Sequence, residues 1–151
     1  MWNIRSVPLT IRNAEPSDYA RVSPLVDDWW GGRQMGALLP RLFFEHFRQT
    51  SFVAEEDGEL VGFLNGFLSQ SFGDEAYIHF VGVRPDRRGS GLARELYERF
   101  FAVARAHGRT LVRCVTSPVN EGSIAFQYAG ILIQVESSCR MRGNHTLSCP
   151  E

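Results

Sequence analysis

The chain has 151 residues, a net charge of −1, 44% hydrophobic residues and 12% aromatic residues. This length supports a single globular domain with a sizeable core, and the balanced charge provides no general attraction to nucleic acid or membranes. No apolar run is long enough to span a bilayer, and the N-terminus lacks a signal peptide's apolar core, so we expect a cytoplasmic protein. The cysteines lack metal-site spacing and are expected to be free thiols: Cys114, Cys139 and Cys149.

The first 50 residues are predicted to contain a short strand and two helices. Residues 9–12 alternate in polarity as a strand does, and Pro16 with Asp18 marks the start of a helix. The apolar face of that helix would consist of Tyr19, Val22, Leu25 and Val26. A second helix is predicted over residues 38–48, with His46 facing solvent. Its apolar face would consist of Leu38, Leu39, Leu42, Phe43 and Phe47.

Residues 27–35, between these helices, combine two acids, two tryptophans and two glycines, which do not read as plain helix. One interpretation is a loop whose tryptophans cover the core. The other is a pocket for an amine, in which Trp29 and Trp30 form an aromatic wall and Asp27 or Asp28 holds the cation.

A hairpin and a central strand follow. Residues 51–64 contain Asp57-Gly58, a tight-turn signal between two apolar runs. Gly62 and Gly66 interrupt the second run, which indicates bulges or close approach of another chain segment. After a polar loop, residues 76–83 are predicted to form the central strand. Simple alternation would place Tyr77, His79, Val81 and Val83 on one face and Ile78, Phe80 and Gly82 on the other, whereas a bulge in this strand would shift the phase.

Two glycines, Gly89 and Gly91, lie in a basic turn between this strand and a helix predicted to end near His107. A glycine turn at a helix N-terminus can bind a pyrophosphate, because unpaired N–H groups and the helix dipole face the anion. A P-loop is excluded because the chain contains no lysine, and a dinucleotide fingerprint lacks its third glycine at Arg94. Residues 110–116 read as the next strand, so the strand–helix–strand unit predicts a parallel pair.

The motif Arg88-x-x-Gly91-x-Ala93 resembles the signature of the GNAT superfamily, the acyl-CoA-dependent N-acyltransferases. The preceding Val-x-Val-x-Pro-Asp-x-Arg is also typical of that family, and residues 119–126 resemble its segment "N-x-x-S/A-I-x-F/L". The resemblance extends over residues 9–130. Residues 131–151 are atypical, although 131–135 are compatible with a sixth strand.

The resemblance implies a single α/β (α+β) domain over residues 1–151. Its mixed central sheet would have about six to seven strands, with helices on both faces and parallel strands 4 and 5 splayed apart. Acetyl-CoA (CoA) would bind in the gap. The residues expected at the cofactor are Val81, Val83, Arg88, Gly89, Ser90, Gly91, Leu92, Ala93, Asn120 and Ser123.

For catalysis, the sequence offers His79 as a general base, and the resemblance implies Glu75 as the second candidate for the base and Tyr128, near the family's tyrosine position, as the acid. Histidine titrates in the useful range, and His79 lies on the central strand near the expected gap. A purely structural strand histidine is the alternative. The acceptor residues are expected to be Asp28, Trp29 and Trp30, and no metal is implied.

These observations predict an N-acetyltransferase that moves an acetyl group from acetyl-CoA to an amine, with a small-molecule acceptor favoured and a homodimer compatible with the family. A catalytically weak acyl-CoA-binding sensor or interaction module of the same fold is the alternative. A different nucleotide-binding domain would require an NAD or ATP motif, and the chain shows none.

Overall fold

The computed structural model describes residues 8–116 and 133–137, and it confirms the mixed α/β architecture. Six strands form one sheet in the order of the sequence: β1 (Leu9–Asn13), β2 (Phe52–Glu56), β3 (Glu59–Leu68), β4 (Glu75–Val83), β5 (Leu111–Thr116) and β6 (Ile133–Ser137). The α-helices in these residues are α1 (Asp18–Trp29), α2 (Leu42–Glu45) and α3 (Leu92–Ala106). Strand β6 confirms the sixth strand that the sequence allowed.

The sheet changes from antiparallel to parallel at β4. Strands β1 to β4 pair antiparallel, whereas β4 with β5 and β5 with β6 pair parallel. The predicted parallel pair around α3 is therefore confirmed. The predicted hairpin is confirmed as well: Asp57 and Gly58 have φ values of 52° and 76°, and a tight two-residue turn of this kind needs positive φ at both positions.

Both faces of the sheet are covered by helices, as expected. On one face, Leu96 and Phe100 of α3 pack with Leu64 and Ile78 in a buried cluster. The opposite face is covered by α1 and α2, whose buried residues form a second cluster with the sheet. Its members include Val22, Val26, Phe43, Phe44, Phe63 and Phe80. Burial of this apolar area is the main force that holds the helices on the sheet.

The predicted role of Gly66 is confirmed. A Cβ atom built there would lie 2.4 Å from Phe100 Cε2 and 2.6 Å from the Tyr77 carbonyl oxygen, so helix α3 and strand β4 approach too closely for any side chain. The pairing of β3 with β4 also changes register between Asn65 and Gly66, which is the bulge that glycine in this strand indicated.

The predicted second helix is wrong in extent. The segment forms a 3₁₀ turn at Gly36–Leu38, the single α-turn of α2, and another 3₁₀ turn at Arg48–Thr50. Pro40 explains the break, because proline disfavours helical geometry at the residue before it, and Leu39 is extended at φ −103° and ψ 92°. Consequently Leu38 and Leu42 are 55% and 43% exposed, although the predicted apolar face included both.

The first helix is longer than the composition of residues 27–35 indicated. Asp27 to Trp29 form the last turn of α1, and the irregular segment begins at Trp30. Within the part of the chain that the structure describes, no helix is long and apolar enough to cross a membrane.

Cys114 on β5 is a buried free thiol, as predicted, and its burial raises the pKa of the thiol to about 12. Cys139 and Cys149 lie outside the described residues.

Candidate active site

Strands β4 and β5 pair only along the first part of each strand. Parallel pairs join them from Glu75 with Leu111 to Ile78 with Cys114. Beyond that point β4 continues along β3 to Val83, while β5 continues along β6 to Thr116. No pair joins β4 and β5 there in the described residues, so a cleft with an unpaired strand edge opens between them. The expected splay of strands 4 and 5 is therefore confirmed.

A bulge at His79 marks the start of this cleft. Asn65 of β3 pairs with Phe80, and Gly66 pairs with Ile78, so His79 has no partner on β3. A bulge turns the side chains beyond it to the other face of the sheet.

The predicted facing of β4 is therefore wrong beyond the bulge. Tyr77 and His79 face the α1 and α2 side: His79 stacks on Phe43 of α2, and Tyr77 stacks on Phe67 of β3, which packs against the cluster on that side. Phe80 belongs to the cluster on that same side, and a Cβ on Gly82 would also contact residues there. The side chains packed on the α3 side are those of Ala76, Ile78, Val81 and Val83.

The turn after β4 has the backbone that an anion site requires. Gly89 and Gly91 have φ values of 78° and 87°, which favour glycine, and a Cβ built on either would meet nothing within 4 Å. Gly91 is the N-cap residue of α3, and no side chain caps this helix. The predicted helix start after Gly91 is confirmed.

Within the described residues, the backbone N–H groups of Gly91, Leu92 and Ala93 have no protein acceptor. They lie at the N-terminus of α3, where the dipole of a 15-residue helix also favours negative charge. The open space around the two glycines and these free donors fit a pyrophosphate group.

The two arginines of the turn have protein partners. Arg87 Nε donates to Glu56 Oε2 at 2.7 Å. Arg88 donates from Nε to the Val83 carbonyl oxygen at 3.3 Å and from a terminal nitrogen to the Trp29 carbonyl oxygen. Ser90 Oγ donates to the Arg87 carbonyl oxygen and thereby tightens the turn. The backbone of the turn therefore offers the free donors, and the arginine side chains hold the turn in place.

His79, the first candidate base, is held by two contacts from the α1–α2 layer. Its Nε2 lies 2.7 Å from the Leu38 carbonyl oxygen, and its ring stacks on Phe43 with centroids 4.8 Å apart at an interplanar angle of 10°. A carbonyl oxygen can only accept, so Nε2 carries a hydrogen and donates it. In the neutral ring, Nδ1 therefore has the lone pair and can accept a proton.

Glu75, the second candidate base, lies at the first residue of β4, at the end where β4 and β5 are paired. Arg113 binds both of its carboxylate oxygens, at 2.9 and 3.0 Å. A carboxylate engaged in this way and distant from the cleft is geometrically less suited to be the base than His79. Tyr128, Asn120 and Ser123 lie outside the described residues, so their predicted roles stay predictions.

The three residues predicted to contact the acceptor have different environments. Asp28 is exposed, whereas Trp29 is only 5% exposed and lies against Phe63 in the core, with ring centroids 6.1 Å apart. Trp30 is half-buried and meets Phe80 edge to face at 5.0 Å. Trp29 therefore covers the core, as one interpretation predicted, whereas Trp30 lies beside the open part of β4, and the amine pocket stays a prediction.

Sequence reasoning missed three contributors to this site. A Cβ on Gly82 would lie 2.8 Å from Trp30 Cη2, so this glycine allows the indole to pack on β4. The Leu38 carbonyl and the Phe43 ring fix His79. A glycine within an apolar strand was a readable signal for Gly82, whereas a backbone carbonyl leaves no trace in the sequence.

Comparison with known proteins agrees with this geometry. Residues 13–127 match the model of the acetyltransferase (GNAT) family. An L-2,4-diaminobutyric acid acetyltransferase from Chromohalobacter salexigens is 34% identical over 114 residues, which cover 66% of this chain and 58% of the relative. The enzyme of that name from Nocardia farcinica is 36% identical over 84 residues, covering 56% and 44%. The chain thus spans about half the length of these curated relatives.

Solved structures share the fold. The diaminobutyrate acetyltransferase of Paenibacillus lautus, determined with L-2,4-diaminobutyric acid and coenzyme A, superimposes with a TM-score of 0.68 at 22% identity, covering 82% of this chain and 76% of that one. An aminoglycoside N-acetyltransferase in complex with CoA gives 0.69 at 21% identity, covering 97% and 100%. With the family match, the splayed strands and the glycine turn at α3, these results show that the chain belongs to the GNAT acetyltransferase family.

Proposed function

We propose that the protein transfers an acetyl group from acetyl-CoA to a primary amine of a small molecule, and that this acceptor is L-2,4-diaminobutyric acid. The cleft between β4 and β5, with the free N–H groups at the start of α3, is the observation that carries the acetyl-CoA part. The relatives named above support the acceptor. We also propose that residues 1–151 form one domain.

The cofactor site is proposed to have two parts. The unpaired edge of β4 around Val81 and Val83 would bind the extended arm of the cofactor through backbone groups, as an added strand would. The free N–H groups of Gly91, Leu92 and Ala93 would bind its pyrophosphate in the open space beside Gly89. When bound, the cofactor supplies an activated acyl thioester.

His79 is proposed as the general base. A primary amine is mostly protonated near neutral pH and must lose a proton before it can act as a nucleophile. The ring has its Nε2 hydrogen bonded to Leu38, so Nδ1 is the atom that would accept that proton, directly or through water. Tyr128 is the proposed acid, by the resemblance stated for the sequence.

The segment from Asp28 to Arg33 is proposed to recognise the acceptor. Asp28 and Arg33 are both exposed and have opposite charges, and neither side chain has a hydrogen-bond or ion-pair partner among the described residues. Diaminobutyrate has an ammonium group that Asp28 would bind, a carboxylate that Arg33 would bind, and a second amine that would accept the acetyl group. Trp30 would provide the apolar wall beside its short methylene chain.

An amine panel tests this proposal. Release of thiol from acetyl-CoA would be followed with diaminobutyrate and with three analogues: 2-aminobutyrate lacks the distal amine, 1,3-diaminopropane lacks the carboxylate, and ornithine is one methylene longer. We expect kcat/KM for diaminobutyrate to exceed that for each analogue by about tenfold or more, because every analogue lacks or misplaces one polar contact. Equal turnover of 1,3-diaminopropane would contradict carboxylate recognition. Tight binding of acetyl-CoA without turnover of any amine would instead support the acyl-CoA sensor.

A further inference from the structure

Arg88 connects the two halves of the proposed site. It lies in the turn that precedes α3, and its guanidinium donates both to Val83, the last residue of β4, and to Trp29, the last residue of α1. The Arg88 side chain therefore joins the end of β4, at the cleft, to Trp29 of the acceptor segment.

The end of α1 needs a cation that its own sequence does not provide. The last four carbonyl groups of a helix lack intrahelical partners, and the C-terminal end of the dipole is negative. The last turn of α1 contains no basic residue, and it contains two acids, Asp27 and Asp28. Both acids are unfavourable beside the negative end of the dipole. Arg88 supplies the positive charge and a donor for the Trp29 carbonyl from a turn 59 residues later.

Backbone hydrogen bonds close the turn after Trp29, and they leave the Trp29 carbonyl without a backbone donor among the described residues. The N–H groups of Trp30, Gly31 and Gly32 donate to the carbonyl oxygens of Val26, Asp28 and Asp27. Further along, Asp27 Oδ1 accepts from the Gly36 N–H at 2.7 Å, and the Leu38 carbonyl accepts from His79. Arg88 therefore binds the carbonyl at the end of α1 that these backbone bonds do not use, and joins this turn to the cofactor turn.

We propose that Arg88 is a positioning residue that acts through the Trp29 carbonyl. It would fix residues 30–36, which include Trp30 and Arg33 of the acceptor segment, and its side chain would not be a ligand of the pyrophosphate. Because the same side chain also binds Val83, ordering of the cofactor turn and ordering of the acceptor segment are coupled. This inference rests on the proposed function for its acceptor, but the structural tie is independent of turnover.

The experiment compares Arg88→Met and Arg88→Lys with the wild type, and uses Arg105→Met as a charge-matched control at the exposed far end of α3. Amide hydrogen exchange in the unliganded protein is the first measurement. Both Arg88 variants are expected to accelerate exchange in residues 30–36 by about fivefold or more, since each loses the two-carbonyl bridge, and the control is expected to leave it unchanged. Lysine retains the charge but lacks the planar fork of donors.

Calorimetric titration with acetyl-CoA is the second measurement. Arg88→Met is expected to change Kd by less than about threefold, since the turn loses one long bond to Val83 and a screened charge but keeps the bonds from Arg87 to Glu56 and from Ser90 to Arg87. Arg88→Lys, which retains the charge, is expected to leave Kd unchanged. The KM for diaminobutyrate is expected to rise about tenfold in both variants. Unchanged exchange in residues 30–36 would overturn the positioning role, and a loss of acetyl-CoA affinity beyond about tenfold in Arg88→Met would overturn the claim that the side chain is not a ligand of the pyrophosphate. If the wild type turns over no amine, the proposed function fails while the exchange result still decides the tie.

Discussion

Both halves of β4 pair with β3 on one side, but only the first half is paired on the other side among the described residues. From Ala76 to Ile78 the strand is paired with both β3 and β5, whereas from Phe80 to Val83 it is paired with β3 alone. Packing differs in the same way. In the first half, Gly66 lets α3 and β4 approach closely and Arg113 binds Glu75, while in the second half Trp30 lies across Gly82.

This contrast separates residues that build the domain from residues that form its site. The bulge at His79 is the boundary, because it shifts the register with β3 and lies one residue after the last pair with β5. An unpaired strand edge is a liability in a folded protein unless something covers it or uses it. The second half of β4 therefore has the properties of a binding surface, and the predictions below test the two halves against each other.

The largest expected effect is on the paired half. Gly66→Ala places a methyl group 2.6 Å from the Tyr77 carbonyl oxygen and 2.4 Å from Phe100, and the backbone atom cannot move aside cheaply. We expect a loss of about 3 kcal/mol in the free energy of unfolding, measured by urea denaturation. Gly73→Ala is the matched control, since its Cβ would meet nothing within 4 Å. Equal stability of the two variants would contradict the close packing of this half.

The next effect is on the bulge itself. His79→Gln is expected to lower kcat by about a hundredfold, the usual size of a general-base contribution. Steady-state kinetics with the amine measures this loss. His46→Gln, at a side chain 75% exposed on the α2 segment, is the control. A kcat unchanged in His79→Gln but lowered in Glu75→Gln would move the base to the paired half of β4.

A smaller effect is expected in the open half. Gly82→Ala places a methyl group 2.5 Å from Phe63 Cε1 and 2.8 Å from Trp30 Cη2, both of them side-chain atoms that can shift. We expect a stability loss of about 1 kcal/mol but a rise of about tenfold in the KM for the amine, because the indole is displaced. An unchanged KM with a large stability loss would show that Trp30 only covers the core.

The smallest effect concerns the start of α1, away from the contrast. Burial raises the pKa of the Asp18 carboxyl, but hydrogen bonds from Arg12 and the Glu15 N–H, together with the charges of Arg12 and Arg21, outweigh it and hold the pKa below its usual value. Asp18→Asn is expected to cost about 1 kcal/mol near neutral pH, with acetyl-CoA affinity unchanged.

The pH dependence of that difference follows from the lowered pKa. The ionised carboxyl contributes fully above the unfolded-state value of about 4 and loses its contribution as pH falls through the lower folded-state value. The stability gap between wild type and Asp18→Asn, measured by urea denaturation from pH 7 to 3, should therefore shrink below about pH 4. A constant gap would contradict the assignment.

Much of the fold was predictable because its signals are local. The Asp57-Gly58 turn, the glycines of the cofactor turn and the apolar periodicity of α3 each depend on residues near in sequence. The extent of α2 was wrong because the spacing of apolar side chains outweighed Pro40 in the prediction, although the proline was visible.

The site was only partly predictable because its geometry depends on long-range backbone contacts. The bulge at His79 arises from the pairing of two strands, and it changed which side chains share a face beyond that residue. The bonds from His79 to Leu38 and from Arg88 to Trp29 end on carbonyl oxygens, for which any residue would serve. Residue types indicated the chemistry, but they could not show which groups were already engaged.

The central claim, that the open half of β4 and the turn before α3 form an acetyl-CoA site, is tested most directly by calorimetric titration of the purified protein with acetyl-CoA, with NAD and ATP as controls. We predict one site per chain with a Kd of about 1–10 μM, equivalent to roughly −7 to −8 kcal/mol, and no binding of either control. Absence of acetyl-CoA binding by a folded sample, or equal binding of NAD or ATP, would contradict the claim.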